Sequence, residues 1–353
     1  MYHLVESLLR KTPLTQKLMR NSVTIIGLFL AFFFIQKSKA QTPDEIEQIG
    51  YLLSDALLYS QQYIVPATDA AVYQASSAWI MSPKKRSKWD VRLGLHTNVF
   101  FVPKADRTFQ IQNSDFQFFE IEGATSTSVP TALGDDNQVY LVGDLGGEQV
   151  RFKTPEGINQ ETVIYPYLQG GIELPYGFEF IARYSTKTKL KRGDYQVYGF
   201  GLKHNFSQYF SKVEAKNIYF SAAVIYSKED ISFDFLDIDT AYGNLGINNL
   251  NGLVDTFHFQ LSASKEFKRF ELMTNFIVNK SSFEYVVSGE KGSIEEVIPI
   301  QNVINGLLKR IAKDKTNVLG EISGRYQISK FYLQSSIAFG KFVNANMGVQ
   351  YQF

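Results

Sequence analysis

The last eleven residues of the chain, 343–353, alternate between apolar and polar side chains. The apolar positions are Val343, Ala345, Met347, Val349, Tyr351 and Phe353. Because successive side chains of a β-strand point to opposite faces, this segment predicts a strand with one apolar and one polar face. A long strand of this kind is typical of a membrane β-barrel, which has lipid outside and a polar interior.

The same two-residue period recurs along the chain from Trp89 onward. Segments with an apolar face opposite a polar one lie at 89–101, 178–184, 198–204, 218–226, 257–263, 270–278, 318–327 and 331–339. Strands of soluble β-sandwiches alternate too, but they are commonly about five or six residues long. We therefore predict an all-β fold, a transmembrane antiparallel β-barrel of about 12–14 strands. It covers residues 88–353, and its strand count depends on residues 123–160, which are rich in Gly, Thr and Asp.

The connections between these segments predict a direction for the barrel. Membrane barrels have short turns on the periplasmic side and long loops outside. Counting back from Phe353, the short turns fall at 328–330, 264–269 and 175–177. The long connections fall at 288–315, 229–252 and 187–194, and we expect them on the outer side.

The N-terminus has the three parts of a secretory signal peptide. Basic residues precede an apolar run at 23–35, and Ser38 and Ala40 supply small residues before Gln41. A spanning helix needs about 20 apolar residues, so an uncleaved membrane anchor is the less favoured interpretation. We predict a signal peptide over residues 1–40, cleavage after Ala40 and localisation in the cell outer membrane. Either Met1 or Met19 can be the true start.

Residues 41–87 differ from the rest in having a helical pattern. Thr42 can cap a helix, and Pro43 suits its first position. Apolar side chains recur at helical spacing at Ile46, Ile49, Leu52, Leu53, Ala56 and Leu57. We predict a helical segment that packs on protein inside or below the barrel, as a plug.

A second helical pattern lies in the outer loop near 295–315. Its apolar residues are Ile298, Ile300, Val303, Ile304, Leu307, Leu308 and Ile311. One interpretation is a helix packed over the barrel mouth. The other is functional: the six residues from Ile300 onward form a hydrophobic capture surface, or the helix lies in the membrane interface and touches lipopolysaccharide.

The polar faces of the predicted strands carry charged and histidine residues that would face the lumen. These candidates are Arg92, His96, Glu173, Glu179, Arg183, His258, Glu271, Glu321 and Arg325. Their expected role is to pair with one another and to anchor the plug. The alternative is a polar path for a ligand, which makes Arg92, Arg183 and Arg325 the first residues to mutate.

Composition excludes several kinds of site. The absence of cysteine excludes disulfides, thiolate metal sites and a lipoprotein anchor. A net charge of +1 argues against a nucleic-acid partner. The predicted mature chain has His96, His204 and His258, none of them in a His-x-x-x-His pair, and the Gly-rich stretch 143–147 lacks the lysine of a phosphate loop. We therefore predict no enzyme activity, no cofactor and no metal.

Several short motifs resemble a known family. They are YIVP at 63–66, Trp79, VFFVP at 99–103, DRTF at 106–109 and the LPYG turn at 174–177. Together they resemble the DUF6588 family of Bacteroidota outer-membrane proteins, itself distantly similar to the FadL/OmpP1/TodX hydrophobic-compound transporters. That resemblance implies a barrel with an N-terminal hatch and helical outer loops. The chain lacks the Asn-Pro-Ala motif of the transporters' hatch. Its terminal Tyr351 and Phe353 resemble the signal that the barrel-assembly machinery recognises.

Two functions remain open. The first is a FadL-like channel or transporter for small hydrophobic compounds, with such a molecule as its ligand. The alternative is a structural or accessory barrel of a larger outer-membrane secretion or surface assembly, with no transport of its own. Either function implies outer-membrane lipid and the barrel-assembly machinery as partners.

Cleavage of the signal peptide can be tested directly. N-terminal sequencing of protein purified from the membrane should give Gln41 as the first residue, because small residues stand at the predicted cleavage site. A mature protein that starts at Met1 or Met19 would contradict the prediction.

Overall fold

The computed structural model describes residues 43–240, 243–292 and 299–353. The predicted signal peptide, with its cleavage site and the two candidate start residues, lies outside this part. The chain divides into two units, Met1–Gly50 and Tyr51–Phe353. All the contacts given below lie within the second unit.

Long antiparallel strands form a closed barrel. They are β1 Val91–Phe101, β2 Thr162–Glu173, β3 Phe178–Tyr184, β4 Gly193–Asn205, β5 Ile218–Asp234, β6 Asn249–Phe267, β7 Phe270–Ser288, β8 Lys315–Ile328, β9 Phe331–Phe339 and β10 Val343–Gln352. Each strand pairs with the next one in this order. Strand β10 returns to β1, with Gln352 opposite Arg92, so the sheet has no open edge.

The barrel that was predicted is confirmed, but the described residues contain ten barrel strands and not about 12–14. The difference arises between β1 and β2. Short strands there pair among themselves, at Thr108–Gln112, Glu120–Ile121, Ser126–Pro130, Tyr140–Leu145 and Glu148–Lys153. None of them exceeds six residues, whereas a membrane-crossing strand needs about 9–11. They alternate like the barrel strands but belong to a loop.

The remaining elements are short, apart from one helix. The helices are α1 Pro43–Ser76, α2 Ser211–Glu214 and α3 Ile300–Leu308, with single 3-10 turns at Lys104–Asp106, Asn113–Asp115, Pro175–Gly177 and Ser207–Tyr209. Strand Thr188–Leu190 pairs with β4, and Asp239–Thr240 pairs with Gly243–Asn244. Within the described ranges, no helix has both the length and the apolarity that a membrane-spanning helix requires.

The two faces of the wall differ as the alternation predicted. Leu95 on β1 and Met347 on β10 point outward and are 59% and 66% exposed. Their neighbours His96 and Asn346 point inward and are each 3% exposed. The outer face is therefore an apolar band, and the inner face is a polar surface covered by protein.

The two ends of the barrel also differ. At one end the connections are short, at 174–177, 206–217, 268–269 and 329–330; we call it the short-turn end. At the other end lie the connections 102–161, 185–192, 235–248 and 289–314, together with one short turn at 340–342; we call it the long-loop end. This arrangement agrees with the predicted topology, and the chain terminus Phe353 lies at the short-turn end, where its N–H bonds to Val91.

The segment before β1 crosses the whole lumen. Asp69 of α1 pairs with Lys315, the first residue of β8, at the long-loop end. Further along, Lys84 pairs with Glu266 at the short-turn end of β6. The chain therefore enters the barrel at the long-loop end, runs through it and starts β1 at the short-turn end.

Helix α1 stops at Ser76, although the sequence predicts a helical segment over residues 41–87. The Ser76 hydroxyl bonds back to the carbonyl of Val72, four residues earlier, and side-chain bonds of this kind compete with the main-chain pairing of a helix. Ala78 then has a left-handed backbone with a φ of 58°. Residues 77–90 continue without helix or strand, and the wall determines their path.

A charge on the outer face should destabilise the barrel according to its depth. Leu95→Arg lies near the middle of β1, and we expect it to lower the free energy of unfolding by about 2–4 kcal/mol. Val91→Arg lies on the same face at the end of the strand and should cost about 0–1 kcal/mol. Urea unfolding in lipid vesicles measures both values. Equal losses in the two variants would argue against a membrane around this face.

Candidate functional site

The candidate site is the lumen, where the wall meets residues 75–86. The structure places all nine predicted lumen residues on the inner face, each no more than 4% exposed: Arg92, His96, Glu173, Glu179, Arg183, His258, Glu271, Glu321 and Arg325. They do not form one centre. Five of them lie in two charged clusters near the short-turn end. The other four, His96, Arg183, His258 and Glu321, form a polar group farther up the lumen.

The first charged cluster centres on Glu179. Its carboxylate on β3 forms ion pairs with Arg92 on β1 and Lys203 on β4, and all three side chains are buried. Glu173 lies beside them and accepts the backbone N–H of Arg86 at 3.2 Å. Two cations and two carboxylates thus balance one another, as a charge removed from water requires.

The second charged cluster joins Glu271 on β7 to Arg325 on β8 at 2.6 Å. Glu271 also accepts the hydroxyls of Ser82 and Ser264, at 2.8 and 2.7 Å. The guanidinium of Arg325 lies 4.4 Å from the ring centroid of Tyr332. This pair therefore contacts the crossing segment through Ser82.

Arg183 is the central cation of the lumen. Its guanidinium lies between the rings of Trp79 and Tyr167, at 4.2 and 4.3 Å from their centroids. It also donates to the carbonyls of Ala75 and Ser77 at 3.4 and 2.8 Å. Such stacking and hydrogen bonding stabilise a buried guanidinium, and here they fix it to the crossing segment.

The ring of His96 packs against its neighbours in the wall. It stacks on Tyr167 with 5.1 Å between centroids, and it fills the space beside Gly94 and Gly348. A Cβ on Gly348 would lie 2.1 Å from the His96 ring. These contacts make His96 a structural part of the wall.

His258 lies 3.0 Å from the hydroxyl of Ser227, and that hydroxyl donates to Glu229 at 2.7 Å. A hydrolytic triad requires the acid to orient the histidine, whereas here Glu229 contacts the serine. All three side chains are buried in the wall. The arrangement does not provide a nucleophile that a substrate can reach, and the absence of enzyme activity stays a prediction.

Seven wall side chains bind main-chain groups of residues 75–86. Two of them donate to two carbonyls each: Arg183 to those of Ala75 and Ser77, and Gln169 to those of Ala78 and Trp79. Three donate to one carbonyl each: Gln334 to that of Ile80, Lys203 to that of Ser82 and Asn205 to that of Pro83. Two carboxylates accept backbone N–H groups: Glu321 that of Ala78 and Glu173 that of Arg86. A buried backbone without regular structure needs such partners. The wall thus satisfies groups that helix or sheet would otherwise pair.

Four of these seven residues, Gln169, Lys203, Asn205 and Gln334, were not predicted as site residues. All four occupy the inward register of their strands and are buried. Their position in the polar half of the alternation was the signal that could have found them. Three of them are neutral amides, which donate hydrogen bonds as charged groups do, and the fourth, Lys203, lies on the face opposite the outward Tyr198, Phe200 and Leu202.

At the long-loop end, α1 forms the core of the loop between β1 and β2. The Asp55 carboxylate accepts the N–H groups of Gln117, Phe118 and Phe119, at 3.0, 2.7 and 3.1 Å. Tyr59 packs edge-on against Phe109 with 5.2 Å between centroids. Burial raises the pKa of the Asp55 carboxyl to about 6, although the three N–H groups act to lower it.

The loop helix α3 packs on protein. Four members of the proposed capture surface, Ile300, Ile304, Leu308 and Ile311, are buried, and Val303 and Leu307 are half-buried. The side-chain amide of Asn305 accepts the N–H of Val287 at 2.7 Å and donates to its carbonyl at 3.1 Å. The helix thus packs against the edge of β7 at the long-loop end.

The two residues of the insertion signal remain outside the barrel. Tyr351 packs edge-on against Phe331 and Phe353, with 5.0 and 4.9 Å between ring centroids. Phe353 is 64% exposed at the short-turn end. An assembly factor can therefore reach this end of β10 from outside, and its recognition stays a prediction.

Removal of the Glu179 charge should destabilise the barrel. Glu179→Gln removes the carboxylate that pairs directly with Arg92 and Lys203 and leaves one carboxylate, Glu173, beside two buried cations, which we expect to cost roughly 3–5 kcal/mol. The matched control is Glu122→Gln, which removes the partner of Arg151 in an exposed ion pair and should leave stability unchanged. The temperature at which each protein loses its folded migration on a gel compares the two. If both variants lose their folded migration at the same temperature, the buried cluster does not stabilise the barrel.

Comparisons with solved structures find distant β-barrel likenesses. The translocator domain of autotransporter NalP from Neisseria meningitidis is 9% identical, with 81% of this chain and 95% of that one covered and a TM-score of 0.31. The Escherichia coli outer membrane protease OmpT is 9% identical, with 77% of this chain and 100% of that one covered and a TM-score of 0.28. The Pseudomonas putida toluene transporter TodX is 8% identical, with 80% of this chain and 93% of that one covered and a TM-score of 0.19. Likenesses this distant assign no function.

The sequence itself is more informative. No curated protein matches the chain. Residues 19–353 match the family described as "Family of unknown function (DUF6588)", as the short motifs indicated. The link to Bacteroidota and the relation to hydrophobic-compound transporters stay predictions. Because the match covers nearly the whole sequence, the chain belongs to the DUF6588 family.

Proposed function

We propose that this protein is a sealed barrel of the bacterial outer membrane that serves as a structural or accessory component of a surface assembly. The apolar outer band supports the membrane location, because its side chains, such as Leu95 and Met347, have no protein cover. The short turns would then face the periplasm, and the long loops would face outward.

One observation carries the proposal of a sealed barrel: residues 75–86 fill the lumen and bind the wall along its length. Trp79 and Ile80 are both fully buried, and they pack with Ile181, Ile225 and Met273 from the wall. The charged clusters below them are paired within the protein. A solute that passed would have to break buried ion pairs and unpair main-chain groups, each at a cost of roughly 1–3 kcal/mol or more.

The long-loop end supports the same function. Loops 102–161, 235–248 and 289–314 have buried apolar cores of their own, which include Phe119, Leu236 and Ile304. Helix α3 contributes most of its apolar residues to this packing, so it offers little free surface to a hydrophobic ligand. A firmly packed outer surface suits a component to which other proteins attach.

Transport of small hydrophobic compounds stays a prediction, and it would require an open path instead of a sealed lumen. It needs an apolar path from α3 into the lumen or out through the wall. The polar surroundings of Arg183 and Glu321 at mid-lumen do not provide such a path. Transport would therefore require residues 75–86 to move.

The test uses the two tryptophans of the chain. The wild-type protein in a planar lipid bilayer should show no steady conductance. Trp79→Ala removes a fully buried ring from the lumen; it should lower stability by about 3–5 kcal/mol and admit intermittent current. Trp89→Ala is the matched control, because that ring is 57% exposed at the short-turn end, and it should stay silent.

A second measurement addresses transport. Cells that lack the protein should take up long-chain fatty acids and alkanes as well as the wild type does, and a partner should co-purify with the wild-type barrel. Steady wild-type conductance, or an uptake defect that the intact gene restores, would overturn the proposal in favour of transport.

A further inference from the structure

We propose that the barrel exports part of its own chain through its lumen, so that residues 51–63 lie on the outer cell surface. The direction of export rests on the proposed membrane orientation, with the long loops outward. The crossing itself follows from contacts within the second unit. In this arrangement the chain crosses the membrane with ten strands and once more inside them.

Contacts at successive levels give the path. At the long-loop end, Asp69 pairs with Lys315 at 2.5 Å. In the upper lumen, the Ser77 hydroxyl donates to the Asn344 side chain at 2.8 Å. At the short-turn end, Lys84 pairs with Glu266 at 2.5 Å. The sequence order of the segment is therefore its order along the barrel axis, from long loops to short turns.

The part above the lumen is built into the outer loops. Tyr63 accepts the N–H of Ala132 at 2.9 Å through its carbonyl, and its hydroxyl donates to the carbonyl of Glu156 at 2.7 Å. Asp55 binds three N–H groups of the same loop, in residues 117–119. Residues 55–63 and the loop 102–161 must therefore lie on the same side of the membrane.

The wall contacts suit a segment that passes through. Seven inward side chains bind main-chain groups of residues 75–86, mostly carbonyls, which every residue presents in the same way. A secretory chain arrives from the periplasmic side, so residues 51–63 must cross the membrane to reach the loops that hold them. The lumen is the route that the contacts trace, and its polar wall offers hydrogen bonds along that route.

The absence of cysteine from the chain makes the surface location testable. Ser54 is exposed, as are Ser114 in the loop 102–161 and Lys330 in a short turn. Single-cysteine variants Ser54→Cys, Ser114→Cys and Lys330→Cys would be treated with a membrane-impermeant maleimide on intact and on permeabilised cells. Heat-modifiable migration on a gel verifies that each variant is folded.

We expect Ser54→Cys and Ser114→Cys to react equally in intact cells and Lys330→Cys to react only after permeabilisation. Reaction of Ser54→Cys only after permeabilisation, with Ser114→Cys reactive in intact cells, overturns the export. If Lys330→Cys reacts in intact cells and Ser114→Cys reacts only after permeabilisation, the membrane orientation of the proposed function is overturned instead. The two failures are therefore distinguishable.

A crosslink tests the route through the lumen. Ser77→Cys with Asn344→Cys should form a disulfide under mild oxidation and shift the migration of the denatured protein, since the two side chains bond at 2.8 Å. The control Ser77→Cys with Val343→Cys uses the neighbouring residue of β10, which faces outward and is 42% exposed. Crosslinking of the control pair, or none in the first pair while the barrel is folded, contradicts passage through the lumen.

Discussion

A stretch of polypeptide without regular structure lies inside this barrel, and its main-chain polar groups must be hydrogen-bonded there. The wall supplies the partners: Arg183, Gln169 and Glu321 alone bind five main-chain groups between Ala75 and Trp79. Each group left unpaired would cost about 1–3 kcal/mol, so the path of the segment and the choice of inward side chains depend on each other. The charged residues of the lumen are understood most simply as part of this arrangement. Lys203 shows the link directly, because it donates to the carbonyl of Ser82 while Glu179 neutralises its charge.

The sequence predicts the wall well because the strand period is a local property. The inward position of residues such as Arg92 and Glu321 follows from counting along one strand. The strand number was wrong because the short strands of the loop 102–161 alternate in the same way, and only their pairing partners distinguish them from the barrel. The end of α1 at Ser76 and the direction in which the segment crosses the lumen depend on tertiary contacts. No local sequence pattern shows through which end of the barrel a plug enters. The sequence predicted a plug inside or below the barrel, whereas α1 extends beyond the lumen at the long-loop end.

Helix α3 and the histidines illustrate the same limit. Apolar residues at helical spacing predict an amphipathic helix, but the spacing is the same whether the apolar face meets protein, ligand or lipid. Burial of Ile304 and Leu308 and the contacts of Asn305 with Val287 give the answer here. Likewise, the inward register of His96 was predictable, whereas its stacking on Tyr167 over Gly348 was not. Such partners come from distant parts of the chain.

The seam between β1 and β10 sets an order of events for assembly. The pairs across this seam run from Phe100 with Asn344 to Arg92 with Gln352, so the ring closes only when the last strand pairs with the first. Residues 77–90 run directly into β1, which places the crossing segment next to the strand that closes last. Until closure, a gap in the wall lies beside the segment; after closure, the mouths are the only ways in. Binding of the crossing segment and closure of the sheet are therefore competing steps. Their relative rates decide whether the closed barrel contains the segment.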